Sequence, residues 1–376
     1  LNYQKHYNMK KKILGLLIAT LSYYSCIAAP TLIDGIYYNL NTSDQTASVT
    51  YNNIYDESYY PMKMDYTRFV IIPSKVKHNN IEYTVTAIGD SAFYRNWEIT
   101  NISISGSVTS IGKYAFYGCS VIERIILPNN ITEIKEGAFS GCNFLEEIHL
   151  PKNLNRIENK TFEGCYKLEN ITLPQELTTI GDSAFLGCYA LKKITIPKNV
   201  TKIGKFAFFQ CRGLKQVINE SALKIKAKEE NNGYVAYNTI GVEDRDGGKF
   251  KETDDYLFFS NNTDTWLVTY YGNEPYIELP LDHEEESYNI APSAFRNNSN
   301  LIRIKLSPKT KQIGEYAFAA CKFLEEIVLP DSLNEIAPYT FCDCYRLSQI
   351  TMPNQLKKIG KKSFENTKIR NIKFPP

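Results

Sequence analysis

Phenylalanine returns every 23 residues. Phe93, Phe116, Phe139, Phe162, Phe185 and Phe208 keep that step without exception, and after a gap it resumes through Phe295, Phe318, Phe341 and Phe364. An isoleucine stands five residues before each of the ten, from Ile88 to Ile359, and the residue just before each Phe is Ala, Thr or Ser. A unit this short cannot bury its own apolar face. Such units have to stack, and neighbouring copies then share one continuous core.

Within each unit the order is I-x-x-x-A-F-x-G-C-x-x-L-x-x-I-x-L-P, seen in "EGCYKLENITLP" at residues 163–174. The end of that pattern alternates strictly, which predicts a short β-strand with Ile171 and Leu173 inward and Asn170 and Thr172 outward. Proline cannot donate to a ladder, so Pro151, Pro174 and Pro197 end their strands. The A-F-x-G-C stretch is too short for a helix and is expected to be a turn wedged between coils, each Phe lying over the next. Burial of one such ring is worth about 1.5–3 kcal/mol. The fold class predicted is a repeat solenoid with short parallel β-strands, one per 23-residue coil.

This pattern resembles the BspA-like (Treponema-type) leucine-rich repeat, whose signature is I-G-x-x-A-F-x-G-C-x-x-L-x-x-I-x-L-P. The resemblance covers about residues 81–218 and 289–376, in ten copies. The stretch from "DGIYYNL" to "IEYTVTAIGDSAF" is also similar to the lead-in of such proteins from Bacteroides-type anaerobes. The resemblance implies a leucine-rich-repeat-type solenoid on a secreted or cell-surface bacterial protein. Adhesion and binding of host or neighbouring-cell protein are the usual family role, and no ligand is identified by it.

An export signal is expected at the N-terminus: Met9, then Lys10, Lys11 and Lys12, an apolar run over 13–21, and small residues over 26–29. These features predict a signal peptide over 9–28, with 1–8 upstream of the natural start. The run is too short to span a bilayer, and no other stretch approaches about 18 apolar residues. Cys26 raises a lipid anchor, but Tyr23, Tyr24 and Ser25 make a poor lipid-attachment box.

Residues 29–80 alternate Tyr, Thr, Val and Ile and are expected to form a β-rich N-terminal cap on the first repeat block, 81–218. Residues 219–288 then break the array: Phe208 and Phe295 are 87 residues apart, where four units need 92. Acidic residues there number 16 against 6 basic, a local charge of −10 within a chain of net charge +2. "DYLFFS" and "TWLVTYY" around "NNTD" predict a hairpin, followed by a worn repeat strand at "YIELP". Two readings stay open for this insertion: a degenerate coil with a solvated loop, or a protruding binding element. The second repeat block occupies 289–376, and its closing Pro375 and Pro376 blunt the last edge.

The side chains offer little to catalysis. Cys119, Cys142, Cys165, Cys188 and Cys211 recur in one phase, with Cys321 and Cys344 repeating it in the second block. A 23-residue spacing gives no zinc chelate, and thiols in one phase point in parallel, so a row of them cannot pair into disulfides. They read as a buried ladder of small apolar groups beside the Phe row. Beyond the leader the histidines are His78, His149 and His283, none in a motif with a Cys or Ser. Glu146 and Glu147 fall where Lys192 and Lys193 stand in another coil, so that pair is variable surface rather than a glycosidase dyad. "EDRDGG" at 243–248 lacks the first acidic ligand and the closing glutamate of a calcium loop. The near-neutral charge gives no pull toward nucleic acid. No catalytic residue, cofactor or metal is expected, and an enzyme site, if present, would lie near Asp254, Asp255 and Trp266 in the insertion.

Outward strand positions stack into columns. The candidate protein-binding face is Arg124, Glu147, His149, Asn170, Thr172, Lys193, Thr195 and Gln216. It passes from acidic over 123–169 to basic over 192–215, a variable polar sheet on an invariant apolar frame, which suits protein recognition. The alternative is a structural solenoid of the cell envelope that self-associates through its ends.

Overall fold

The computed structural model describes residues 29–51, 68–279 and 288–370. The expected leader, residues 1–8, Cys26, His283 and the final proline pair lie outside them.

The repeats wind into a β-solenoid with two parallel strips of strand. The first strip is the alternating I-x-L segment: Arg124–Ile126, Glu147–His149 and Asn170–Ile171 pair in register, with Glu147 between Arg124 and Asn170. Lys193–Ile196 pairs likewise with Gln216–Asn219. In the second block Tyr276–Glu278, Arg303–Lys305, Glu326–Val328 and Gln349–Thr351 form one ladder, so "YIELP" is a repeat strand. The second strip ends on the recurring isoleucine: Ser110–Ile111 pairs with Glu133–Ile134, and Arg156–Ile157 with Thr179–Ile180. These strands are two residues long, too short for alternation to reveal them, and they add a second strand to most coils.

Between the strips lie the A-F-x-G-C turns, which fasten each coil to the next. Phe116 N–H donates to the Ala138 carbonyl at 2.8 Å, and Phe139 N–H to Thr161 at 3.0 Å. The turn passes through a left-handed residue, which is why glycine precedes cysteine: Gly118, Gly141, Gly164 and Gly187 have φ of 69°, 74°, 72° and 75°. Inside, the phenylalanines stack with centroids 5.0 to 5.7 Å apart from Phe93 to Phe208. The row continues from Phe295 to Phe364.

Two large apolar cores result, one running from Ile36 to Val242 and one from Tyr256 to Leu347. The inserted segment contributes to both. Residues 221–243 make one more irregular coil, with Phe208 N–H donating to Gly233 O at 2.7 Å and Ile218 bridging Glu243 in parallel. A meander follows, Lys249–Glu252, Tyr256–Ser260 and Thr265–Tyr270, whose last strand pairs in parallel with Asn289–Ile290. The N-terminal segment does the same. Its hairpin, Ile36–Asn41 with Thr46–Thr50, sets Val49 beside Ile88, as the meander sets Leu267 beside Ile290. Each Phe row thus begins on a β-hairpin, and Tyr270 leads the second row at 5.3 Å from Phe295.

Candidate binding face

The outward side chains of the first strip form a continuous face. Arg124, His149, Asn170, Thr172 and Lys193 are exposed, and Glu147 and Thr195 are half-buried. Gln216 is not on this face. It is buried, because the irregular coil closes along its strand: Glu243 N–H donates to Val217 O at 2.9 Å and Asn219 N–H to Glu243 O at 2.8 Å. The neighbouring Lys215 registers the same enclosure. Burial, together with the nearby Lys228 and Arg296, lowers its ammonium to about 8. Phase alone places Gln216 outward, and only the later chain covers it.

Several charges along the face are paired, while Arg124 and Lys193 make no ion pair among the described residues. Lys192 meets Glu169 at 2.7 Å, across the boundary between the acidic and basic stretches, and Lys167 meets Glu146 at 3.7 Å. His149 Nε2 lies 3.6 Å from Glu147 Oε1 on the same strand. Pairs this exposed contribute only about 0–1 kcal/mol each.

Four of the eight candidates come together. Glu147, His149, Asn170 and Thr172 line a shallow recess of about 590 Å³, together with Pro174, Gln175 and Lys152 among others. The parallel ladder stops beside this recess, since Asn170–Ile171 pairs with Glu147–His149 but not with Lys193–Ile196. Arg124, Lys193 and Thr195 lie outside the recess lining.

The face also carries apolar side chains in open solvent. Ile126 is 76% exposed and stands opposite His149, while Ile71 is 70% exposed two strands away, on Phe69–Ile72, which pairs with Asn101–Ile104. Phe69 and Ile71 escaped the reading of columns because they sit in the N-terminal segment. A signal was available, since "FVIIP" has the same apolar-x-apolar-Pro ending as the repeats.

The cysteine ladder is packing with a hydrogen bond added. All eight described cysteines are free thiols and buried. Each in-phase Sγ donates to the Phe carbonyl of the coil before it: Cys119 to Phe93 at 3.1 Å, Cys165 to Phe139 at 3.3 Å, Cys344 to Phe318 at 3.0 Å. Burial pushes the Cys119 and Cys211 thiols up to about 12, so they stay protonated and unreactive at neutral pH. Among the described residues no group of three or more His, Cys, Asp or Glu is placed to hold a metal. Among them, too, no helix is long and apolar enough to cross a membrane.

Residues 86–215 and 275–376 match the family described as the BspA type leucine-rich repeat region, in six copies. The chain belongs to the BspA-type leucine-rich repeat family. Solved structures similar to this repeat protein include a leucine-rich cell surface protein from Faecalibacterium prausnitzii, 23% identical over 92% of this chain and 95% of that one, with a TM-score of 0.43. The pneumococcal vaccine antigen PcpA is 25% identical over 92% of this chain and 81% of that one, TM-score 0.43. A leucine-rich repeat protein of T. pallidum is 19% identical over 78% and 90%, TM-score 0.32. Comparison with curated proteins gives no match.

Proposed function

We propose that this BspA-type repeat protein is an exported, adhesin-like module that recognises a host or neighbouring-cell protein through the first-strip face. The observation that carries the reading is the exposed Ile126 on the sheet that also holds the Glu147–Thr172 recess, with the exposed Ile71 two strands further along, beyond Asn101–Ile104. Apolar side chains in solvent, rimmed by polar ones and beside a cavity, are what a partner's anchor residues need. Recognition is preferred to catalysis because the thiols are buried and the face carboxylates are solvated or ion-paired. The eight face residues minus Gln216 define the proposed surface, with Arg124 and Lys193 supplying charge for steering.

The test is surface plasmon resonance of the purified chain over immobilised matrix and plasma proteins. Saturable binding to at least one of them at micromolar concentration is expected, and none across the panel refutes the reading. Sedimentation velocity separates the structural alternative: a solenoid assembling through its ends grows in mass with concentration, whereas a binding module does not.

A further inference from the structure

A second recess is built by the A-F-x-G-C turns, not by the strands. Residues in one phase of that turn form rows across coils. Two before the Phe the row runs Tyr114, Gly137, Lys160, and one after it Tyr117, Ser140, Glu163. Four after it, Asn143 is followed by Tyr166 and Tyr189. Two of these rows fall to a short side chain at the coil of Phe139, and the third holds Asn143 there ahead of Tyr166, which leaves a notch of about 570 Å³. The coils on either side of it are about 10 Å apart at the usual strand spacing, room for one six-membered ring.

Its walls are held in place. Tyr117 is backed by Tyr94 at 4.8 Å, with the Arg95 guanidinium near both rings at 5.5 and 6.0 Å. Tyr114 meets Tyr117 edge-on at 5.9 Å and leans over Gly137, where a Cβ would come within 2.3 Å of its ring. The opposite wall is Tyr166, stacked on Tyr189 at 5.1 Å. In the orientation that satisfies its amide, Asn143 donates to Gly164 O at 2.9 Å and Gly141 O at 3.2 Å, fixing it in the floor.

Lys160 and Glu163 also line the notch. Among the described residues neither side chain has an ion pair or a hydrogen bond, although both act electrostatically on the Tyr114 hydroxyl. An unpaired donor and an unpaired acceptor thus sit together between tyrosine walls.

We propose that the notch binds a carbohydrate, with one pyranose unit of a glycan seated between Tyr117 and Tyr166. Tyrosine presents a broad apolar ring with a polar tip, and a pyranose matches it with a face of C–H groups and a rim of hydroxyls. Each hydroxyl both donates and accepts, so neighbouring hydroxyls satisfy Glu163 and Lys160 together. Proline-rich peptide is the other ligand that aromatic grooves take. It fits less well, because proline has no N–H and leaves the Glu163 carboxylate without a donor.

The experiment is saturation-transfer NMR and calorimetry of the full chain with xylotriose, cellotriose, mannotriose, maltotriose and N,N′,N″-triacetylchitotriose, and separately with a decaproline peptide. At least one trisaccharide is expected to bind at about 10 mM or below, with affinity about tenfold weaker in Tyr166→Ala and in Glu163→Gln. Glu163→Gln leaves a surface position filled and keeps the test valid if Tyr166→Ala unfolds. Substitution of Ile126 on the strand face leaves sugar binding unchanged, so failure here is distinguishable from failure of the protein-binding reading. Absence of binding to all five sugars, binding that survives both notch substitutions, or binding of decaproline instead would each overturn the proposal.

Discussion

Replacing Phe162 with alanine tests the architecture at its centre. The ring is fully buried and lies between Phe139 at 5.7 Å and Phe185 at 5.3 Å, so its removal leaves a hole bounded by aromatic faces on both sides. Such truncations cost about 3–5 kcal/mol. Phe364 is half-buried and has one ring neighbour, Phe341 at 5.4 Å, and its loss should cost about 1–2 kcal/mol. Glu147 is surface, and its loss should fall within about 0.5 kcal/mol. The assay is urea unfolding followed by the two tryptophans, Trp97 in the first coil of the first core and Trp266 in the meander before the second. Phe162→Ala should lower the midpoint reported by Trp97 more than that reported by Trp266, because Trp266 packs against Leu257, Phe259 and Val268, a cluster separate from the core that holds Phe162. Equal losses for Phe162→Ala and Glu147→Ala would refute the inward and outward assignments. Identical shifts at both tryptophans would refute the separation of the cores.

The thiol ladder makes the chain sensitive to alkali. The folded thiols are raised above their usual value of 9.0, to about 12 for Cys119, Cys211 and Cys344, so the unfolded chain loses its protons first as pH rises. Stability present below about pH 8.5 is then lost at about 1.4 kcal/mol per pH unit per thiol. Cys119→Ser should reduce the slope of unfolding free energy between pH 9 and 10 by about that amount, and an unchanged slope would contradict it. Lys215 has the opposite sign. Its folded value of about 8 lies below its ordinary 10.5, so its cost is present below pH 8 and fades as pH rises to about 10. Lys215→Met should therefore stabilise the protein at pH 7 and gain nothing near pH 10, as measured by urea midpoints; a pH-independent gain would exclude burial as the cause. Gly137→Val should be strongly destabilising by thermal melting, since φ is 62° and the Tyr114 ring occupies the space of a Cβ. A melting temperature equal to wild type would mean that Tyr114 does not lie over that coil.

Much of this was readable in the residues because a repeat tests itself ten times. The Phe, Ile and Cys rows needed only their spacing, and the direction of Ile171 against Thr172 followed from a period of two. Three features were hidden for physical reasons. Two-residue strands such as Ser110–Ile111 carry no periodicity to detect. Gln216 has an outward phase and is buried by chain that comes later. The hairpin at 256–270 was visible, but its parallel pairing to Asn289–Ile290, mirroring the N-terminal hairpin, is a tertiary contact that alternation does not encode. The tyrosine notch needs residues from three coils read side by side, where Tyr114, Gly137 and Lys160 fall in one row.

Protein binding by the first-strip face, as proposed, is open to test by substitution in the middle of that face. Ile126→Glu combined with Thr172→Arg places charge on the exposed anchor and at the mouth of the recess without touching either core. Against whichever matrix or plasma protein binds the wild-type chain, surface plasmon resonance should show affinity reduced at least about tenfold, with an unchanged thermal melt. Unaltered affinity in the double variant would contradict the assignment of recognition to this face.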